Sequence, residues 1–171
     1  VSLSANLRYT IKGGELVSLQ EELDYVDRYI LLQKTRLGGR LEVTKKINPK
    51  VNLAVIPKIS IQMLVENAII HGMPEDGAVL HIIIRVCMEN NRLLISVYDD
   101  GKGILPEKVK ELNDIFSGKS ADTGNSIGLP NLASRLKILY QGEAGLFLES
   151  QGDQFTEVKM ELPIRKRGNE N

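Results

Sequence analysis

The chain has one cysteine, Cys87, and no excess of charge of either sign. A single cysteine excludes an internal disulfide framework and makes a reducing compartment the expectation. With 22 basic and 22 acidic side chains the net charge is zero, against a nucleic-acid or anionic-membrane surface. No apolar run approaches the roughly 20 residues of a membrane span, and no signal peptide is visible. Internal repeats and low-complexity tracts are absent, and the only histidines are His71 and His81. The start, VSLSANLRYT, lacks an initiator Met, so a fragment of a longer protein is expected. What is present is 171 residues with 42% apolar side chains, enough for one domain with a proper core.

Taken in order, residues 2 to 12 read as the end of a helix, with Leu3, Leu7 and Ile11 in one stripe and Gly13 and Gly14 as its stop. Ser18 and Glu21 have the spacing of a capping box. The helix they open runs to about Leu37, with Leu19, Leu23, Val26, Ile30 and Leu37 as its seam and Gly38 and Gly39 as its end. Periodicity leaves two readings of it: a helix packed on the domain, or a connector to an upstream module. Residues 40 to 48 alternate as a half-buried strand, and Asn48 and Pro49 begin a loop. Pro57 is expected near the start of the next helix, which ends at Gly72. Residues 78 to 88 and 92 to 99 are two strands joined by a hairpin-like link, the first apolar on both faces and so expected to be central. A helix over 106 to 117, a small polar loop over 117 to 127, and a leucine-rich helix over 129 to 141 stopped by Gly142 follow. Strands over 145 to 150 and 156 to 162 come last, and the tail RKRGNEN is expected to be disordered.

Strand pairs joined by short turns predict an α/β two-layer sandwich: a mixed, largely antiparallel sheet of about five strands with helices on one face, plus an N-terminal helical segment. The expected divisions are 1–14, the end of one helix; 15–39, a connecting helix; 40–165, the main domain; and 166–171, the tail.

Three stretches carry the chemistry. In QMLVENAIIHG, residues 62 to 72, a turn of 100° per residue puts Ile61, Leu64, Val65 and Ala68 on one side. Asn67, Ile70 and His71 fall on another, with Glu66 at its edge. Asn67 offers a neutral oxygen suited to Mg²⁺ whose other ligands are phosphate and water, or is an ordinary helix-surface amide. His71 reads as a hydrogen-bonding wall residue. Glu66 either activates a nucleophile or pairs with a nearby cation, and the second is favoured.

In VYDDGKGI, residues 97 to 104, alternation puts Asp99 on the apolar face of its strand. A carboxylate there is costly unless something satisfies it. It is either a turn aspartate or an acceptor for a ligand amino group such as that of adenine, with Gly101 and Gly103 letting the ligand approach the backbone. In GNSIGL, Gly124 and Gly128 flank Ser126 and Ile127 and lead through Leu129 into a helix, an arrangement that suits an anion, although Pro130 removes one N–H. Asn131 and Arg135 lie four apart there, as a surface pair or as support for the loop.

Together these stretches resemble the nucleotide-binding domain shared by histidine kinases, heat-shock chaperone ATPases, mismatch-repair ATPases and type II topoisomerases. LVENAIIHG resembles the asparagine box, DDGKGI the first glycine box and GNSIGL the second. With LSANLRYTI and VSLQEELDYVDRYILLQKTRLGGRLEV, nearly the whole chain resembles the C-terminal part of LytS/YesM-type sensor histidine kinases. The resemblance implies Mg-ATP binding, with Asp99 on adenine, Asn67 on Mg²⁺, and Glu66, His71, Gly101, Gly103, Ile104, Gly124, Ser126, Ile127, Gly128, Leu129 and Asn131 around the nucleotide under a lid. It implies phosphoryl transfer to a histidine on upstream dimerisation and phosphotransfer helices, a homodimer when full length, a response regulator as partner, and the cytoplasmic side of a membrane-anchored bacterial receptor. No nucleic acid and no direct membrane contact by this stretch are expected. The family's acceptor histidine stands in a Pro-His-Phe context, which this sequence lacks. The family often has Pro at the place of Met63, Lys at that of Ile70 and a polar or basic residue at that of Pro130. In the ATPase branches a general-base Glu stands where this chain has Met63. An ATP-hydrolysing clamp and a non-catalytic nucleotide-sensing or dimerisation module are the competing readings.

Overall fold

The computed structural model describes residues 15–51, 53–121 and 128–164. The expected first helix over residues 2 to 12, most of the lid including Gly124, Ser126 and Ile127, and the tail from 165 lie outside the described residues.

The first long element is α1 (Leu19–Leu37). Its capping box is formed: the Glu21 N–H donates to Ser18 Oγ over 3.2 Å, and the Ser18 N–H donates to Glu21 Oε2 over 2.9 Å. Leu19, Leu23, Val26 and Ile30 of the seam are buried. The helix stops at Gly38, whose φ of 64° is strained for residues with a side chain. Just before α1 lies a three-residue strand β1 (Leu16–Ser18), antiparallel to β3 (Val55–Pro57). Neither short strand has a sequence signal. Pro57 therefore ends a strand instead of opening a helix. The chain turns through Ile59 (φ 63°) before α2 (Ser60–Gly72) begins.

The main sheet has the order β2-β4-β5-β7-β6, from β2 (Leu41–Ile47), β4 (Leu80–Glu89), β5 (Arg92–Asp99), β6 (Gly145–Gln151) and β7 (Phe155–Pro163). Only β2 with β4 is a parallel pair; the other neighbours are antiparallel. The mixed five-stranded sheet matches the expectation. The middle strand is β5, while β4 lies between β2 and β5. Leu80, Ile82, Ile84 and Val86 of β4 are buried, whereas Ile83 and Cys87 on its other face are only half-buried. The same alternation in β7 buries Thr156, Val158, Met160 and Leu162. One face of the sheet thus holds the core under the helices, and the other stays open.

Two further helices, α3 (Pro106–Ser117) and α4 (Leu129–Leu139), complete the helical layer. Leu112 and Phe116 of α3, and Leu132 and Leu136 of α4, point inward. α3 is tied to edge strand β6 through one side chain: Asn113 donates to the Leu148 carbonyl over 2.8 Å and accepts from its N–H over 3.0 Å. These bonds satisfy backbone groups that a sheet edge would otherwise leave open. On α2, Ile61, Leu64, Val65 and Ala68 are at most 2% exposed, so the apolar stripe read from the sequence is the buried face. Burying each of these larger side chains contributes about 2 kcal/mol.

Candidate functional site

With one face of α2 in the core, the opposite face forms the wall of a cleft of about 800 Å³. Met63, Glu66, Asn67, Ile70 and His71 line it from α2. Lys102, Gly103 and Ile104 come from the loop after β5, Lys108 and Leu112 from α3, and Gly128, Leu129 and Pro130 from the start of α4. Leu148 of β6 completes the lining. The cleft is therefore where α2, the loop after β5, α3, the start of α4 and β6 meet. A smaller depression of about 320 Å³ beside Leu23 and Lys45 contains none of the expected residues.

Asp99 stands apart from this lining. As its alternation requires, it faces the helices and is only 2% exposed. Its strand neighbours are Ile82 of β4 and Thr156 of β7. The Gly101 N–H donates to Oδ1 over 3.1 Å, and among the described residues no hydrogen bond reaches Oδ2. A carboxylate has about four acceptor sites, so one N–H leaves it poorly satisfied. Burial, partly opposed by the Gly101 N–H and reinforced by Asp100, pushes its pKa up from 3.8 to about 7.

The end of α2 sits directly on this carboxyl. A Cβ on Gly72 would lie 2.6 Å from Asp99 Oδ1, so only glycine fits there. The Gly72 carbonyl accepts from the Lys102 N–H over 3.2 Å. A Cβ on Gly101 would meet that same carbonyl at 2.1 Å, and one on Gly103 (φ 65°) would meet the Gln151 carbonyl at 2.0 Å. The missing side chains of Gly101 and Gly103 admit the protein's own backbone, the end of α2 and the β6–β7 turn. Gly103 also lines the cleft; Gly101 is buried behind it.

Glu66 is also placed differently from the favoured reading: it forms no ion pair among the described residues. Its charge acts instead on Tyr29 of α1, whose hydroxyl is pushed up to about 12 chiefly by burial and then by Glu66. Arg135 donates to the Lys58 carbonyl over 2.7 Å and ties α4 to the turn before α2. Asn131 is exposed on α4 and is not part of the cleft lining. His81 lies on the open face, its Nδ1 2.7 Å from Asp100 Oδ2.

Two cations of the cleft were not singled out from the sequence. Lys102 pairs with Glu75 over 3.2 Å and Lys108 with Glu111 over 2.9 Å. Lys102 stands within DDGKGI itself and could have been noticed there; nothing in the sequence marks Lys108. Ser150 was also missed. Its hydroxyl accepts from the Ile104 N–H over 2.7 Å and lies 3.0 Å from the Thr156 hydroxyl, so it ties the glycine loop to the strand beside Asp99. No group of three or more His, Cys, Asp or Glu side chains able to hold a metal occurs among the described residues. The available donors are the Asn67 amide and the Glu66 carboxylate on adjacent positions of one wall. They suit an ion whose remaining ligands come from a bound phosphate.

The comparisons agree with this geometry. The family model for histidine kinase-, DNA gyrase B- and HSP90-like ATPases matches residues 57–166, from the end of β3 through β7. This chain belongs to that ATPase family. The histidine kinase family model matches residues 1–41, ahead of it, and the LytS-type resemblance is borne out over nearly the whole chain. Sensor protein LytS of Bacillus anthracis is 29% identical over 99% of this chain, and sensor histidine kinase YpdA of Escherichia coli 38% identical over 96%. The chain spans under a third of these relatives, 29% and 28% of their respective lengths. Among solved structures, the catalytic domain of histidine kinase ThkA superposes with a TM-score of 0.62 at 17% identity, over 86% of this chain and 93% of that one. Acinetobacter baumannii histidine kinase AdeS superposes with a TM-score of 0.58 at 13% identity, over 96% of this chain and 78% of that one. At such identities the superpositions establish the fold.

Proposed function

We propose that this chain is the ATP-binding catalytic part of a two-component sensor histidine kinase, presenting Mg-ATP to a histidine on an upstream helix. One observation carries the reading: the asparagine-box face of α2, the first glycine loop and the start of α4 line a single cleft, with an under-satisfied carboxyl behind the glycine loop. Asp99 accepts the adenine amino group on its open Oδ2, and the apolar side chains of Ile104, Leu112, Leu129 and Leu148 sandwich the ring. Asn67 offers its amide oxygen to Mg²⁺ and His71 hydrogen-bonds the phosphates. When bound, Mg²⁺ neutralises phosphate charge. Lys102 and Lys108 supply the positive charge that Ile70 does not, and the turn at Gly128 stands at the phosphate end. Catalysis on this reading is positioning and charge neutralisation, with no covalent role for the chain. Met63 occupies the place of the general-base Glu in the hydrolytic branches, which favours transfer over hydrolysis. In the full-length protein the partners are a second copy and a response regulator. No described helix is long and apolar enough to cross a membrane, and membrane anchorage belongs to the longer protein.

The test adds this chain and Mg-ATP to the upstream helical segment of the full-length protein. Acid-labile phosphate on that segment is expected. Sustained phosphate release from the chain alone, without transfer, would instead support the clamp.

A further inference from the structure

α2 enters the structure without a cap of its own. Ile59, at the N-cap position, is left-handed and makes no side-chain bond to the first turn. The first N–H groups of a helix have no partners within it, and burying them unsatisfied is costly. Here the acceptor arrives from another helix. Glu22 of α1 is fully buried. Its Oε2 accepts from the Ile59 N–H over 2.8 Å, and its Oε1 accepts from the Ile61 and Gln62 N–H groups over 3.1 and 3.3 Å. A negative group at that end also complements the helix dipole. Two turns further along α1, Tyr29 feels the charge of Glu66. The two helices therefore run side by side in the same direction, with Glu22 level with the start of α2 and Tyr29 level with the polar face.

Glu66 is followed by Asn67, and His71 lies one turn beyond. A helix transmits a displacement of its first turn along its length. The Asp99 carboxyl is carried by β5 between two other strands, and α2 meets it only through Gly72, at the end far from Glu22. We infer that Glu22 is a positioning residue: by capping α2 from α1 it sets where Asn67 and His71 stand against the metal and phosphates, and leaves adenine recognition to the sheet. This inference rests on the nucleotide reading of the cleft. It makes α1 the element through which any movement of the segment ahead of it reaches the phosphate end of the site.

The test measures two ligands by calorimetry on the whole 171-residue chain, below its melting onset: Mg-ATP, and ADP in EDTA. Glu22→Ala is expected to weaken Mg-ATP about tenfold and leave ADP without metal within about twofold. Glu22→Gln keeps one acceptor oxygen and is expected to be intermediate, about threefold on Mg-ATP. It decides the matter if the alanine variant does not fold. A merely structural glutamate would lower the melting temperature while both affinities stayed unchanged or fell together, and either result overturns the inference. A wild-type chain that binds neither ligand overturns the nucleotide reading itself and this inference with it.

Discussion

Among the described residues two carboxyl groups, those of Glu22 and Asp99, are buried, and their surroundings differ. Among the described residues Glu22 accepts from three backbone N–H groups at the start of α2, whereas Asp99 accepts from one, that of Gly101. Both are nearly invisible to solvent, at 0% and 2% exposed. A buried carboxylate with three donors is part of the scaffold, since its lone pairs complete another element's hydrogen bonding. One with a single donor among the described residues and a pKa pushed up to about 7 keeps acceptor capacity that the nucleotide reading assigns to a ligand. Burial alone separates neither from the other; the count of donors does.

That contrast can be broken most sharply at Asp99. Asp99→Asn is expected to weaken ATP by at least ~100-fold, because with its oxygen held by the Gly101 N–H the amide turns its NH2, a donor, toward the adenine amino group in place of an acceptor. The same variant should melt at a higher temperature at pH 8, since an isosteric amide removes a charge that burial opposes. Calorimetry and thermal melts on one preparation check both, and unchanged affinity would sink the assignment.

The pH dependence of stability tests the same difference by titration. The folded Asp99 carboxyl titrates near 7 and its unfolded counterpart near 3.8. Between those values the folded chain holds a proton that the unfolded chain has lost. Stability from this group is therefore highest below about pH 4, falls as pH rises toward 7 and levels off above it, by a few kcal/mol at most. Urea melts across this range should show the fall in the wild type and a flatter profile in Asp99→Asn.

Glu22→Ala should act oppositely to Asp99→Asn on stability. It strips three N–H groups of their acceptor and is expected to cost about 3 kcal/mol in urea denaturation. A stabilised Glu22→Ala would erase the distinction between the two carboxyls. The smallest expected effect is at the rim of the cleft. Lys108→Ala, already paired with Glu111, should weaken ATP about threefold and leave adenosine unchanged, with the loss shrinking as salt is raised. Equal loss for adenosine would place Lys108 against the base instead of the phosphates.

Much of this was legible because it is local. The stripe of Ile61, Leu64, Val65 and Ala68 follows from helix periodicity, and each of those residues is buried as read. Asp99 was put on the core side by alternation alone, which holds because a strand's side chains must alternate. The capping box at Ser18 is a three-residue interval and formed as read. That Pro57 ends a strand is not legible, because β1 and β3 are three residues each and pair only across a stretch that holds all of α1 and β2. Gly101 and Gly103 stand out in the sequence, but the backbone they admit comes from residues 72 and 151, which local pattern does not show. Glu22 drew no notice among the acidic residues of EELD, because nothing in the local pattern distinguishes an exposed glutamate from one that reaches a helix 37 residues away.

The sequence by itself determined which faces are apolar, where the helices and main strands run, and that three nucleotide-type motifs stand in order. These are consequences of periodicity and turn chemistry, which act over a few residues. Only the tertiary structure decided that the motifs share one cleft, that Lys102 and Lys108 enter it, and that Gly72 rests on Asp99. It also decided which buried carboxyl is satisfied. Those are distances between elements far apart in the chain, set by how one helical layer packs on one face of a five-stranded sheet.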